Sequence, residues 1–352
     1  MLRSYFTEGG VHVLVDGQFG STGKGLFASF LAERAAKSNT MFTGVLSNAG
    51  PNSGHTFYGP DGEKIVLKQL PSFAVASQLW GAEPIPVYLT AGAIIDPAIL
   101  IHEALKFPSI EIHVHENAAV ITDAEKMAER TGTVAAVAGT RSGTGHAIAN
   151  KVLRNPKSVF SWHFENTAWQ YPPNIKVYRN TPQMGSDLRY FMEVSQGFSL
   201  GLNSEFYPKV TSRECTVMQA IADARIAPYW VNRTYMVVRT FPIRVGNVDG
   251  FSSGDHYDDQ YETSWQELGV EPELTTVTQR VRRVFTWSDQ QFEEAVTANR
   301  PDFVLLNFMN YIKDPREQAR FKDRVDNVGF RAAVDFTTLY GWGAKNDDIS
   351  PF

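Results

Sequence analysis

The chain has little that would tie it to a membrane, a disulfide framework or another polymer. A single cysteine, Cys215, stands among 352 residues. That excludes an internal disulfide and a multi-cysteine zinc site, and it points to a reducing compartment. No apolar run approaches the roughly 20 residues that a membrane span needs. The opening MLRSYFTEGG lacks the apolar centre of a secretory signal, so a cytoplasmic location is expected. Basic residues are not in excess: 33 Lys+Arg face 38 Asp+Glu, a formal net charge of -5. Attraction to duplex phosphate is therefore weak, and neither nucleic acid nor membrane is expected as a partner. Internal repeats and low-complexity tracts are also absent. With 43% hydrophobic and 20% charged residues, the chain is neither disordered nor too polar to bury a large core.

What is present is an alternation of apolar runs and helical spacing. Val11–Asp16 predicts a buried strand, and Leu26–Lys37 repeats apolar residues at helical spacing. Met41–Ser47, Val87–Ile95, Ile110–His115, Leu188–Val194, Tyr235–Phe241 and Phe303–Phe308 continue the strand series. Tyr58–Leu70 predicts a hairpin around Pro60-Asp61-Gly62. Asp96-Pro97 is a helix start with proline at the first helical position. The expected fold class is α/β, a large mostly parallel central sheet with helices on both faces and inserted loops. One domain over residues 1–352 is expected, with a polar excursion at about 246–265. Ligands on such sheets gather at the carboxyl ends of strands.

Two glycine-rich loops lie at such ends. Gly17–Gly25 follows a strand and opens a helix, so its N–H groups and the helix dipole suit an anion. Gly20, Gly23 and Gly25 permit close backbone approach, and Lys24 adds charge for phosphate. It is not a Walker A loop, because Gln18 and Gly25 stand where that motif has Gly and Ser/Thr. The second loop, Asn52-Ser53-Gly54-His55-Thr56, also follows an expected strand, so both loops can face one ligand.

Together these loops resemble the adenylosuccinate synthetase family, which carries Q-W-G-D-E-G-K-G and then G-H-N-A-G-H-T. Here the segments are Gln18-Phe19-Gly20-Ser21-Thr22-Gly23-Lys24-Gly25 and Gly50-Pro51-Asn52-Ser53-Gly54-His55-Thr56. Further segments are similar in the same order: Leu70-Pro71-Ser72, Gly139-Thr140, Lys151-Val152-Leu153-Arg154, Ser195-Gln196-Gly197, Tyr207-Pro208-Lys209-Val210-Thr211-Ser212 and Thr278-Gln279-Arg280-Val281-Arg282-Arg283. The likeness spans nearly the whole chain, which is shorter than the common bacterial form. It implies a C–N-forming ligase. In the family, the GTP γ-phosphate moves to the 6-oxygen of IMP, and the amine of aspartate then displaces it, with Mg²⁺ as cofactor.

The resemblance implies roles residue by residue. Ser21, His55 and Gln196 form the expected catalytic set, with His55 as general acid. Gly20, Thr22, Gly23, Lys24, Gly25, Gly54, Thr56, Asn307 and Gly341 are expected around the donor nucleotide, and the Gly54 carbonyl and Ser21 around Mg²⁺. Asn52, Thr140, Thr211 and Gln196 are expected around the acceptor nucleotide, with Arg154 supplied by the partner of a homodimer. Thr276, Thr278, Arg280 and Arg282 are expected around L-aspartate. The arginine spacing independently suits two carboxylates.

Two departures bear on substrate. Ser21 replaces the family's catalytic Asp and cannot serve as a carboxylate base. A smaller residue beside purine N1 makes room for an amino group at C2, as in guanine. The phage-type branch, the N6-succino-2-amino-2′-deoxyadenylate synthases, has this Ser-Thr-Gly-Lys-Gly loop and acts on dGMP. Met309 aligns with the Asp that reads the guanine of GTP, which implies ATP or dATP as donor; a shift of one residue would put Asn310 there instead. The base for the N1 proton is open among Asp16, the incoming aspartate and a Mg²⁺-bound water. The competing readings are a conventional synthetase using IMP and GTP, a nucleotide kinase, and an inactive nucleotide-binding homologue.

Overall fold

The seven residues of β1 (Gly10–Asp16, GVHVLVD) are all buried, as befits a central strand covered on both faces. This computed structural model describes residues 4–131, 140–248, 250–275 and 279–351. Ten strands form the main sheet. After β1 come β2 (Gly44–Ser47), β3 (Val87–Leu89), β4 (Ile112–His115), β5 (Ile175–Tyr178) and β6 (Arg189–Glu193). The series closes with β7 (Val231–Arg239), β8 (Phe303–Asn307), β9 (Thr337–Gly341) and β10 (Ile349–Ser350). Their order is β10-β9-β8-β7-β1-β6-β2-β3-β4-β5. Every pairing is parallel except β9 with β10. The expected α/β class with a large parallel sheet is the one observed.

Alternate residues of β1 enter opposite cores, as the two-residue period of a strand requires. Leu14 joins Phe27, Phe73, Phe191 and Tyr235 on one face, under α1 (Lys24–Lys37) and the helix Ser72–Leu79. Val13 and Val15 join Met192, Met236 and Leu306 on the other. That face is covered by Val217–Asp223, Asp289–Asn299 and Pro315–Arg331. Among the described residues no helix is long and apolar enough to cross a membrane.

The Asp96 carboxylate caps its helix by accepting from Ala98 N at 3.1 Å, with Pro97 in the first turn. The expected hairpin forms, but its first strand is His55–Tyr58; the second glycine loop runs straight into it. The expected strand Val87–Ile95 is two. Residues 90–93 turn away, and Ile94–Ile95 pairs with Ala119–Val120 outside the main sheet. Part of the polar stretch 246–265 is ordered into a small sheet. Its strand Glu262–Thr263 pairs with Arg283–Phe285, which pairs in turn with Ile243–Arg244.

Register places a row of polar residues at neighbouring strand ends. Leu14 and Ser47 both face Glu193, Asp16 faces Val237, and Arg239 faces Asn307. The carboxyl ends of β2, β6, β1, β7 and β8 thus present Ser47, Glu193, Asp16, Arg239 and Asn307 side by side. The site is built there.

Candidate active site

Asp16 organises the first loop from below. Its side chain is inaccessible. One oxygen accepts from Gln18 N at 2.9 Å and Gly20 N at 3.3 Å. The other accepts from the Thr22 hydroxyl at 2.5 Å and Lys24 Nζ at 3.0 Å. Four donors saturate this carboxylate, so Asp16 is the loop's anchor and not a base open to substrate. Lys24 Nζ also donates to the Gln196 carbonyl at 2.8 Å, binding the loop to the turn after β6.

The two glycine loops share a wall. A Cβ on Gly25 would lie 2.5 Å from the carbonyl oxygen of Thr56, so α1 starts where only glycine fits. Asn307 fixes the other flank. It is 3% exposed, donates from Nδ2 to the Thr22 carbonyl at 3.0 Å and accepts from Phe308 N at 2.9 Å. Its amide is therefore engaged in holding the loop. A Cβ on Gly341 would lie 2.2 Å from Asn307 Oδ1, so Gly341 leaves room for that amide rather than lining the site.

Above these elements lies a cavity of about 1070 Å³, larger than one nucleotide needs. Its wall includes Gly20, Ser21, Thr22, Gly23, Lys24 and Gly25 from the first loop, and Asn52, Gly54, His55 and Thr56 from the second. Thr140, Gln196, Thr211, Arg282 and Asn307 complete the sequence-predicted residues on it. A smaller pocket between residues 4–8 and Arg189 lies at the opposite, amino-terminal edge of β6.

Two orphaned nitrogens face this chemistry. His55 Nε2 and Gln196 Nε2 are buried without a partner, a costly state unless an acceptor completes them. His55 is held from behind. Its Nδ1 lies 3.4 Å from Glu193 Oε2, and Glu193, 1% exposed, accepts from Phe73 N at 2.5 Å. Sequence reading missed Glu193; its signal was a charge closing the apolar strand RYFME just before Gln196. Ser21 (φ 54), Gln196 (φ 68) and Phe308 (φ 61) are non-glycine residues in the left-handed region, where side chains are strained and functional sites concentrate.

Not every expected residue reaches the cavity. Arg280 and Arg154 do not line it; Arg154 is exposed at φ 61, just past the helix Thr144–Val152. Thr276 and Thr278 lie outside the described residues. Met309 is 0% exposed and sealed in the core, whereas Asn310 lines the cavity. Phe308, just before them, is left-handed, and of the two aligned alternatives Asn310 is the one on the cavity wall.

Arg282 sits on a second layer of charge. Burial lowers its pKa to about 10, while the Glu273 carboxylate acts the other way; the guanidinium stays charged at neutral pH. Glu273 pairs with Arg239 at 2.5 Å. Burial alone would raise the Glu273 carboxyl, but Arg239, Tyr311 and Arg282 bring it below its ordinary value. Neither Glu273 nor Arg239 was visible to sequence reading.

The sequence model of the adenylosuccinate synthetase family matches residues 13–168 and 177–314. The chain belongs to the adenylosuccinate synthetase family. It is 37% identical over 313 residues to the N6-succino-2-amino-2′-deoxyadenylate synthase of Vibrio phage phiVC8, covering 86% of each chain. Its structure resembles that of the cyanophage S-2L succinoaminodeoxyadenylate synthetase (PurZ) bound to dGMP and dATP as an energy donor, with a TM-score of 0.85 and 32% identity. That match covers 98% of this chain and 96% of the other. The fully ligated adenylosuccinate synthetase of Plasmodium falciparum shares the fold, with a TM-score of 0.73 at 14% identity over 97% and 99% of the two chains.

A magnesium ion, on which the family generally depends, would find oxygen donors here rather than a carboxylate cage. Among the described residues no cluster of three or more His, Cys, Asp or Glu is present. Gly54 and Ser21, on the cavity wall, supply a carbonyl and a hydroxyl. Such donors fit a cation that keeps several waters and arrives on phosphates.

Proposed function

We propose that the enzyme joins L-aspartate to carbon 6 of dGMP with ATP or dATP as phosphoryl donor, giving N6-succino-2-amino-2′-deoxyadenylate. The observation that carries this reading is Ser21. A short hydroxyl stands on the cavity wall where a carboxylate would crowd the 2-amino group of guanine. The phage relatives support the same assignment.

The chemistry proceeds in two displacements. The purine 6-oxygen attacks the γ-phosphorus as N1 gives up its proton to water or to the carboxylate of the incoming aspartate; the new O–P bond forms as the bond to the β-bridging oxygen breaks, and the nucleoside diphosphate leaves. The aspartate amine then attacks C6 and gives up a proton, and the C–O bond breaks with loss of phosphate, which carries a proton away. His55, oriented by Glu193, presents Nε2 to the transferring phosphoryl oxygens and later to the leaving phosphate. Gln196 Nε2 donates to the 6-oxygen. The start of α1 and the loop N–H groups hold the donor phosphates. Lys24 adds positive charge while bracing the loop. Gly54 and Ser21 would hold Mg²⁺ together with the donor phosphates, and the ion would supply positive charge against theirs. Asn52, Thr140 and Thr211 hold the acceptor's 5′-phosphate, and Arg282 holds a carboxylate of aspartate.

We read the enzyme as a cytoplasmic homodimer. Arg154 is exposed and does not line its own cavity, and it follows Val152 and Leu153, which are 71% and 78% exposed; we assign it to the partner subunit's cavity. Sedimentation tests this, and a monomer at working concentration refutes it. The main assay incubates purified protein with aspartate, Mg²⁺ and each pair of nucleotides. Product from dGMP with ATP or dATP is expected. Turnover of IMP but not dGMP overturns the reading.

A further inference from the structure

The roles above use no residue of β7, yet that strand ends in a side chain touching three parts of the site. Arg239 is wholly buried. Its Nη1 donates to the Ser21 carbonyl at 3.1 Å. Nη1 and Nη2 hold both oxygens of Glu273, at 3.1 and 2.5 Å. The guanidinium carbon lies 3.9 Å from the centre of the Phe308 ring. Its main chain is fixed too, since Gln18 accepts from Arg239 N at 2.8 Å and donates to its carbonyl at 3.1 Å.

The contacts continue outward. Glu273 accepts from the Tyr311 hydroxyl at 3.0 Å, and its main-chain oxygen accepts from Arg282 N at 2.8 Å. One guanidinium therefore reaches the residue beside the acceptor base, the arm that carries Arg282 and the segment that carries Asn310. Only arginine serves all three, because its planar fork bonds in two directions and stacks on a ring; lysine is a single point charge. A buried ion pair adds little stability over well-packed apolar residues, so stability alone does not account for it.

We infer that Arg239 is a positioning residue for substrate selection, setting the Ser21 turn and linking it to the aspartate arm and the donor segment. Discrimination at purine C2 and binding of aspartate then depend on each other. This rests on the proposed reaction.

The test compares the native enzyme with Arg239→Lys, alone and with Ser21→Ala. For a folded Arg239→Lys enzyme, the aspartate KM should rise about tenfold, and the preference for dGMP over its 2-deamino analogue dIMP should fall about tenfold. Ser21→Ala should change that preference in the native enzyme and add little in the Arg239→Lys background. Unchanged KM and preference, or strictly additive effects, overturn the inference. If Arg239→Lys fails to fold, the pair Arg239→Met with Glu273→Met removes both buried charges together and is judged by the same readouts. Hydrogen exchange on the unliganded protein separates this failure from that of the reaction. Arg239→Lys should speed exchange at residues 19–25, 273–275 and 308–311 together, whatever the enzyme's substrate; no change in any of the three overturns the inference.

Discussion

The two sides of the cavity, one proposed for phosphate and the other for aspartate, are built differently. The first loop is fastened from within, by a saturated Asp16, a buried Lys24 and an Asn307 amide bonded to the Thr22 carbonyl. Residues 273–275 and 279–283 form an arm on the rim, with Glu273, Leu274, Thr275 and Arg282 on the cavity wall. Its inner end is held by Arg239, while outer contacts such as Arg283 with Glu262, at 2.7 Å, are open to solvent on the glutamate side. The cradle proposed for the donor phosphates is preformed; the arm proposed for aspartate has one buried ion pair at its inner end and strand pairing with a solvent-open ion pair at its outer end.

The sharpest test of the rigid half is His55→Ala, which should lower kcat by about 10²–10⁴-fold. Melting should change far less, because the outer nitrogen has no partner to lose and the inner one loses only the 3.4 Å contact with Glu193; a loss of melting temperature that matched the loss of activity would make His55 structural. Asp16→Asn comes next. It leaves Lys24 buried beside an uncharged amide and should cost about 3–5 kcal/mol in denaturant unfolding. A cost below 1 kcal/mol would show that the loop is fastened elsewhere. On the rim, Arg282→Lys should raise the aspartate KM by about 10- to 100-fold with little change in the dGMP KM, read from initial rates. Equal changes in both would erase the division between the halves. Ser21→Asp should shift selectivity from dGMP toward IMP by about 10- to 100-fold; an unchanged dGMP rate contradicts the steric argument. Smallest of all, Arg283→Ala should alter stability by about 1 kcal/mol or less. A larger loss would mean that the arm is anchored from outside as well.

The halves also differed in how far the sequence revealed them. The strand, loop and helix from Val11 to Lys37 are local features, written in adjacent residues, and they stand where periodicity and glycines put them. The same holds for the Pro60-Asp61-Gly62 turn and the Asp96 cap. What escaped was long-range. Glu193 lies 138 positions from His55, and Glu273 lies 34 from Arg239; no spacing rule links such pairs. The choice between Met309 and Asn310 stayed open in the sequence because it turns on a left-handed residue, Phe308, a conformation that aromatic residues rarely adopt. Strand Val87–Ile95 was read as one because its apolar run continues through a turn that only the path of the chain explains.

The contact of Gly25 with the Thr56 backbone has a consequence for how such enzymes diverge. It works as a ruler between the tip of α1 and the histidine next door, with no side chain to lengthen or shorten it. Mutation can redraw the rim and exchange one purine for another, but the gap between phosphate grip and proton donor has almost no tolerance. New specificities in this scaffold should therefore arise by editing what surrounds that span, never the span itself.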